Sequence, residues 1–365
     1  MTDNAVGTIA KHDRAAQPKL EPLAGGRLLD KHGRIATDLR VSLTDRCSLR
    51  CSYCMPPEGL DWLPSASLLT DDEVIRLITI AVRDLGVQQV RFTGGEPLLR
   101  KGLARILAAT TALRTATGVA PDTALTTNGV GLATSAMALK QAGLHRINVS
   151  LDTLDATRYA RLTGRDRLGD VIKGLAAAAA AGLSPIKMNT VLLPGVNDDE
   201  MLSLVSWALK RGYQPRFIEQ MPLGPQDTWQ RTTMVTAEDI LDVLRSEFTL
   251  IPMQSKARGS APAEIWMVTG AEVPEDFVAT VGIIASITKP FCEACNRTRL
   301  TADGQLRSCL FSRDETDVRT LLRSGASDLA IAELWRGAMA AKQTTHGVDE
   351  GSFVQPDRTM SAIGG

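Results

Sequence analysis

Residues 38–54 read DLRVSLTDRCSLRCSYC, and the way this stretch divides decides the fold. A short apolar run at 39–43 reads as a strand, and it passes directly into Cys47, Cys51 and Cys54. Spacing of i, i+4 and i+7 would put the three cysteines on one helix face, as small hydrophobes packed into a core. The flanks Thr44-Asp45-Arg46 and Pro56-Pro57 instead read as loop. A cysteine loop at the C-terminal end of a strand is where a parallel α/β sheet keeps its ligands.

Working outward, apolar or β-branched runs recur near 88–93, 122–126, 146–150, 185–191 and 214–219, with helical patterns at 71–85, 102–115, 133–142, 168–182 and 198–211. Asp71, Asp72 and Glu73 sit where a helix N-terminus favours carboxylates, and Gly86 closes that helix. This β-α rhythm predicts an α/β fold, a partial (open) β/α barrel of six parallel strands spanning 25–250, two strands short of the usual closed barrel. An open barrel admits a larger substrate from the side. Beyond 250 the rhythm changes to strand-like pieces at 264–268 and 278–287, a hairpin turning at Asp303-Gly304, and helices near 316–323 and 327–341. A smaller C-terminal cluster-binding domain is therefore expected over 251–346, with a flexible tail at 347–365 ending in Gly-Gly. Residues 1–24 are polar, carry Pro18 and Pro22, and read as a mobile N-terminal tail. The alanine run Ala176–Ala181 reads as a tightly packed helix.

Composition bounds the partners. With 41 basic and 41 acidic side chains the formal charge is zero, so neither nucleic acid nor an acidic membrane is advertised, and any basic site must be local. No stretch approaches the ~20 apolar residues of a membrane span. The charged N-terminus lacks a signal-peptide core, which predicts a cytoplasmic, thiol-reducing address. All six cysteines fall in two triplets, the second being Cys292, Cys295 and Cys309, and none of His12, His32, His145 and His346 lies beside either in sequence. Clustered cysteines in a reducing compartment point to metal or redox chemistry rather than disulfides. Structural zinc normally takes four ligands, whereas three thiolates suit a cubane whose remaining iron is open to a small molecule. Cys292-x-x-Cys295 also fits a zinc half-site, weakened by the missing second pair.

The first triplet, with Tyr53 before its last cysteine, resembles the radical S-adenosylmethionine enzymes, as does Thr93-Gly94-Gly95-Glu96-Pro97 one strand later. That resemblance implies chelation of S-adenosylmethionine by the open iron and its reductive cleavage to methionine and a 5′-deoxyadenosyl radical. The paired glycines allow close backbone approach to a ligand. Thr126-Thr127-Asn128-Gly129, Ser150 and Asp152 close the next strands on the same rim, where Thr127 and Asp152 would ordinarily serve as helix caps. The segment Phe291 to Gly304, with Arg297 and Arg299 following Cys295, resembles the GTP 3′,8-cyclases (molybdenum cofactor biosynthesis protein A), and the likeness runs from Asp38 to the final Gly-Gly.

The resemblance implies conversion of GTP to 3′,8-cyclo-7,8-dihydro-GTP, with two [4Fe-4S] clusters and S-adenosylmethionine as cofactors. It assigns Arg40, Arg91, Thr126, Lys187, Arg297 and Arg299 to GTP, and Tyr53, Gly95, Ser150 and Met221 to S-adenosylmethionine. Arg40, Arg297, Arg299, Gly364 and Gly365 carry the catalytic roles it implies. It also implies an electron donor, a homodimer and, downstream, cyclic pyranopterin monophosphate synthase. Two other readings of the triplets are a peptide-modifying radical S-adenosylmethionine maturase, which usually has more C-terminal cysteines, and a non-catalytic cluster or zinc module.

Overall fold

The computed structural model describes residues 26–56, 58–225, 229–253, 259–348 and 353–364, so the expected N-terminal tail 1–24 and Gly365 lie outside the described residues. Strands β1 (Asp38–Ser42), β2 (Gln89–Thr93), β3 (Asp122–Thr127), β4 (Arg146–Ser150), β5 (Ile186–Leu192) and β6 (Gln214–Glu219) lie parallel and in chain order. Between them run α1 (Asp71–Arg83), α2 (Leu103–Thr111), α3 (Leu132–Gln141), the pair α4 (Ala156–Thr163) and α5 (Leu168–Ala180), and α6 (Met201–Leu209). The start of α1 shows why the local signals were readable. Thr70 accepts from the Glu73 backbone N–H, and the Glu73 carboxylate accepts from the Thr70 N–H.

The expected six-strand parallel run needs correction. After α7 (Ala237–Arg245), β7 (Thr249–Pro252) and β8 (Glu264–Thr269) lead to β9 (Thr280–Ile284), which pairs parallel to β6. At the other edge β10 (Arg297–Leu300) pairs parallel to β1, followed by the antiparallel strands β11 (Gln305–Arg307) and β12 (Thr316–Asp317). The sheet order is β12-β11-β10-β1-β2-β3-β4-β5-β6-β9-β8-β7, with a parallel run of eight strands from β10 to β9. β9 and β10 escaped the count because neither is preceded by the strand–helix alternation that marks the others. Segment 251–346 thus adds to both edges of the barrel sheet. The turn at Asp303-Gly304 lies between β10 and β11 as read, with Gly304 at φ +78°.

Alternation along the strands separates core from lumen. Leu39, Val41, Val90, Phe92, Ile147, Val149 and Phe217 are buried among the helices, joined by Val74, Leu77 and Ile78 of α1 and Val171 and Leu175 of α5. The register puts Arg40 beside Arg91 and Arg299, Asn148 beside Lys187, and Asn189 beside Arg216, all on the opposite face. Closed barrels fill this space with branched apolar side chains. Here it is lined by cations. The remaining helices are α8 (Val318–Arg323), α9 (Asp328–Ala340) and α10 (Met360–Ile363). Among the described residues no helix is long and apolar enough to cross a membrane.

Candidate active site

The loop after β1 is held against the ends of β2 and β3. Gly95 and Glu96 donate backbone N–H bonds to the Thr44 and Arg46 carbonyl oxygens, both at 2.7 Å. A Cβ on Gly95 would stand 2.3 Å from the Arg46 oxygen, and Gly94 has φ +152°. The glycine pair therefore answers first to the cysteine loop, and through it to any ligand there. Glu96 is fully buried and accepts from Leu98 N, Thr127 Oγ1 and Asn128 N at 2.9, 2.7 and 2.7 Å. Burial pushes its carboxyl up to about 7, against the pull of those bonds. Thr127 is thus a partner of Glu96 rather than a simple cap.

Cys47, Cys51 and Cys54 surround a cavity of about 200 Å³ whose walls include Tyr53, Gly95, Thr126, Ser150, Asp152 and Met221. The four residues expected at S-adenosylmethionine are thereby brought together. Burial raises all three thiols. Asn128 Nδ2 approaches Cys47 Sγ at 3.7 Å, and the Tyr53 hydroxyl donates to Asp152 Oδ2 at 2.8 Å. Asp152 Oδ1 accepts from Val191 N at 2.9 Å, so this carboxylate ties the cysteine loop to β5. Burial outweighs both bonds and lifts Asp152 to about 6.

Cys292, Cys295 and Cys309 line a second, smaller cavity with Phe291, Arg297, Arg299 and His346, and Met221 lies in the walls of both cavities. Burial raises Cys292. At Cys295 burial is outweighed by Arg297 and Lys342, and the thiol falls to about 7. The fold brings His346 to this triplet, as sequence spacing could not reveal. Its Nε2 lies 3.0 Å from the Ser286 carbonyl and its Nδ1 accepts from Val348 N at 3.0 Å. With both nitrogens engaged, His346 is a poor fourth ligand for zinc. All six cysteines are free thiols. Among the described residues no group of His, Cys, Asp and Glu is placed to hold a single metal ion, and three cysteines on one cavity are the kind of donor set an iron–sulfur cluster takes.

On the face of the sheet opposite the helices stand the half-buried side chains of Arg40, Arg91, Lys187 and Arg216, with buried Arg297 and Arg299 beside the second triplet. Burial, reinforced by neighbouring cations, lowers Arg40 and Arg299 to about 9, Arg91 and Arg216 to about 10, and Lys187 to about 7. Arg40 Nε and Arg91 Nε have no hydrogen-bond partner. Asp38 acts as a counter-charge on Arg91 and leaves one of its own oxygens unpaired. Such a lumen is built for a multiply charged anion. Arg216 belongs to it and was missed from sequence, although its place in the strand 214–219 was legible. Arg146 also faces the group but is paired with Asp122.

The C-terminal segment, expected to be flexible, is folded in its described part. Gln355 Nε2 donates to the Gly224 carbonyl at 2.6 Å, and Arg358 grips Asp303 through two bonds of 3.0 and 2.8 Å. Ser361 and Ile363 are buried, and Met360 and Ser361 border the first cavity. Gly364 ends up at the barrel mouth, where its carbonyl accepts from Arg299 Nη1 at 2.8 Å.

A partial barrel with a three-cysteine loop at the end of its first strand defines the class of radical S-adenosylmethionine enzymes, and the Radical SAM superfamily model matches residues 41–208. The Molybdenum Cofactor Synthesis C model matches residues 213–348. The chain is 56% identical to the GTP 3′,8-cyclase of Corynebacterium glutamicum, over 97% of this chain and 93% of that protein. With the GTP 3′,8-cyclase of Streptomyces coelicolor it shares 59% identity, over 93% and 96% of the two. The chain belongs to the GTP 3′,8-cyclase family. As a radical S-adenosylmethionine enzyme it works with that cofactor and an iron–sulfur cluster. Two solved structures share the fold: anSMEcpe with bound AdoMet (TM-score 0.57, 12% identity, 85% of this chain and 81% of that one) and S-adenosylmethionine-bound SuiB of Streptococcus suis (0.53, 14%, 86% and 70%).

Proposed function

We propose that this chain converts GTP to 3′,8-cyclo-7,8-dihydro-GTP, the first step of molybdenum cofactor synthesis, in a lumen bounded by two four-iron clusters, one on each cysteine triplet. The observation that carries this reading is a barrel lumen in which cations outnumber the counter-charges, together with two three-thiol cavities that share Met221. Cys47, Cys51 and Cys54 would hold the cluster that, with S-adenosylmethionine bound, would supply the electron for its cleavage and so a 5′-deoxyadenosyl radical for the cyclisation that joins ribose C3′ of GTP to guanine C8.

The chain's own residues arrange the substrate. Arg91, Lys187 and Arg216 give the triphosphate its charge-assisted donors, and Arg40, Arg297 and Arg299 hold the nucleotide toward the second triplet. Thr126 lines the first cavity, and this position supports the role at GTP that the resemblance implies. Tyr53, Gly95, Ser150 and Met221 position S-adenosylmethionine, with Asp152 fixing the Tyr53 hydroxyl. Free thiols and the requirement for electrons accord with a reducing, cytoplasmic setting and an electron donor. A homodimer and a downstream cyclic pyranopterin monophosphate synthase are proposed on the sequence resemblance alone.

Anaerobic reconstitution with iron and sulfide tests the reading directly. About eight irons per chain are expected, with cyclised product from GTP, because each triplet can hold one cubane. Stoichiometric zinc, or about four irons with unchanged turnover, overturns the two-cluster arrangement.

Lys187 makes the binding step depend on pH. Free, it titrates at about 7; beside a triphosphate its ammonium is stabilised and the value rises. Between the two values the complex holds the extra proton, so GTP affinity falls as pH rises above 7. At pH 8 binding should take up a substantial fraction of a proton per site, measured by calorimetry in buffers of different ionisation enthalpy. Lys187→Met should remove most of the buffer dependence, and a wild-type enthalpy independent of buffer refutes it.

A further inference from the structure

Lys342 follows α9 and turns its side chain inward until the residue is only 3% exposed. Its Nζ donates to the Arg297 carbonyl oxygen at 2.9 Å and to the Cys295 carbonyl oxygen at 3.4 Å, and stands 3.2 Å from Cys295 Sγ. No carboxylate among the described residues pairs with it. Two carbonyls satisfy the ammonium's hydrogen bonds but not its charge, and a buried unpaired charge is costly. The acceptor within reach that can carry a full negative charge is the Cys295 sulfur.

The placement is enforced from outside the site. Arg34, tied through Nε to Asp30 at 2.6 Å, donates from Nη1 to the Cys292 and Thr344 carbonyls at 2.8 and 2.9 Å and from Nη2 to the Gln343 carbonyl at 2.6 Å. One guanidinium thus pins the residues directly after Lys342 to the start of the second cysteine loop. Arg297 approaches the same loop but borders the cavity and lies over the Phe291 ring at 4.6 Å, where, on the reading above, its charge would be shared with the nucleotide. Lys342 is not among the cavity's lining residues, so its charge is committed to the thiol whether or not substrate is present.

We propose that Lys342 is a positioning residue of the second thiol site: its ammonium, hydrogen-bonded to Cys295 Sγ, balances the charge of the iron–sulfur cluster held there and raises that cluster's affinity for an electron. This rests on the two-cluster reading above. Three thiolates on a 2+ cubane core carry a net negative charge that deepens when one electron is added. A fixed cation at hydrogen-bond distance in a low-dielectric pocket stabilises the reduced form more than the oxidised one.

Redox titration followed by electron paramagnetic resonance tests this, in a Cys51→Ala background that leaves the second cluster as the reporter. At the potential where half of the cluster is reduced with Lys342 present, Lys342→Gln and Lys342→Met should lower the reduced-to-oxidised ratio about tenfold, and Lys342→Arg by less than about twofold. Iron analysis separates the failures. If Lys342→Gln binds its full iron and titrates at the unchanged potential, the proposal is wrong while the two-cluster reading stands. If the Cys51→Ala protein with Lys342 intact holds no iron at the second triplet, the two-cluster reading itself fails. Loss of iron in the Gln and Met variants with retention in the Arg variant supports a charge role, and loss in all three overturns it.

Discussion

Cys51→Ala should abolish formation of 5′-deoxyadenosine, whereas Cys295→Ala should retain S-adenosylmethionine cleavage and lose cyclisation. Cys51 is one of three thiols around the cavity that also gathers Tyr53, Gly95, Ser150 and Met221. With two thiols the cubane loses a protein ligand, and the electron that breaks the sulfonium bond has no source beside the cofactor. The drop should be at least about 10³-fold, equivalent to roughly 4 kcal/mol of barrier. Cys295 lies instead in the smaller cavity with Arg297 and Arg299, on strand β10 and the turn before it. Its loss leaves the loop after β1 untouched, so cleavage continues without a productively held nucleotide. Anaerobic assays that follow 5′-deoxyadenosine and cyclised nucleotide in the same sample separate the two. Equal loss of both products in Cys295→Ala would contradict separate roles for the triplets, and persistent 5′-deoxyadenosine from Cys51→Ala would refute the role of the first.

The difference in what was legible follows from the range of the interactions. The strand at 39–43, the capping signals of α1 and the hairpin at Asp303-Gly304 are local, fixed by neighbours within a few residues, and each stands where the residues put it. The cysteine triplets were legible because their ligands cluster in sequence as well as in space. Arg40, Arg91, Lys187, Arg297 and Arg299 came from family resemblance, and the register brings them to one face of the sheet. Arg216 carried no motif, but the period-two pattern of β6 puts it on that same face, beside Asn189. Other features were invisible for a physical reason. The pairing of β10 with β1, the contact of Lys342 with Cys295 and the seat of His346 all join segments far apart in the chain, and no local pattern encodes them. From sequence alone the glycine pair after β2 reads as space for a ligand. Its tightest neighbour is the carbonyl of Arg46, because the loop must fold back over the strand ends before any ligand can bind.

Removing Gly364 and Gly365 should leave the fold and both thiol sites intact and reduce cyclisation roughly 10²-fold. Arg299 is buried, and its Nη1 donates at 2.8 Å to the Gly364 carbonyl. Without that acceptor a buried guanidinium donor is left unsatisfied, at a cost of about 1–3 kcal/mol, and the side chain is free to turn from the nucleotide. Gly365 lies outside the described residues, and Gly364 carries the contact. Gly364 has φ +81°, and a Cβ there would stand 2.4 Å from Thr93 Oγ1. Gly364→Ala should therefore displace the terminus and reproduce most of the loss at full chain length. The segment's anchorage is independent of its tip, since Arg358 is held by Asp303 and also pairs with Glu315 at 2.9 Å. Iron content and S-adenosylmethionine cleavage should consequently match wild type in both variants while product formation falls. A truncated enzyme that cyclises GTP at the full-length rate would show that the Arg299–Gly364 contact has no part in arranging the substrate.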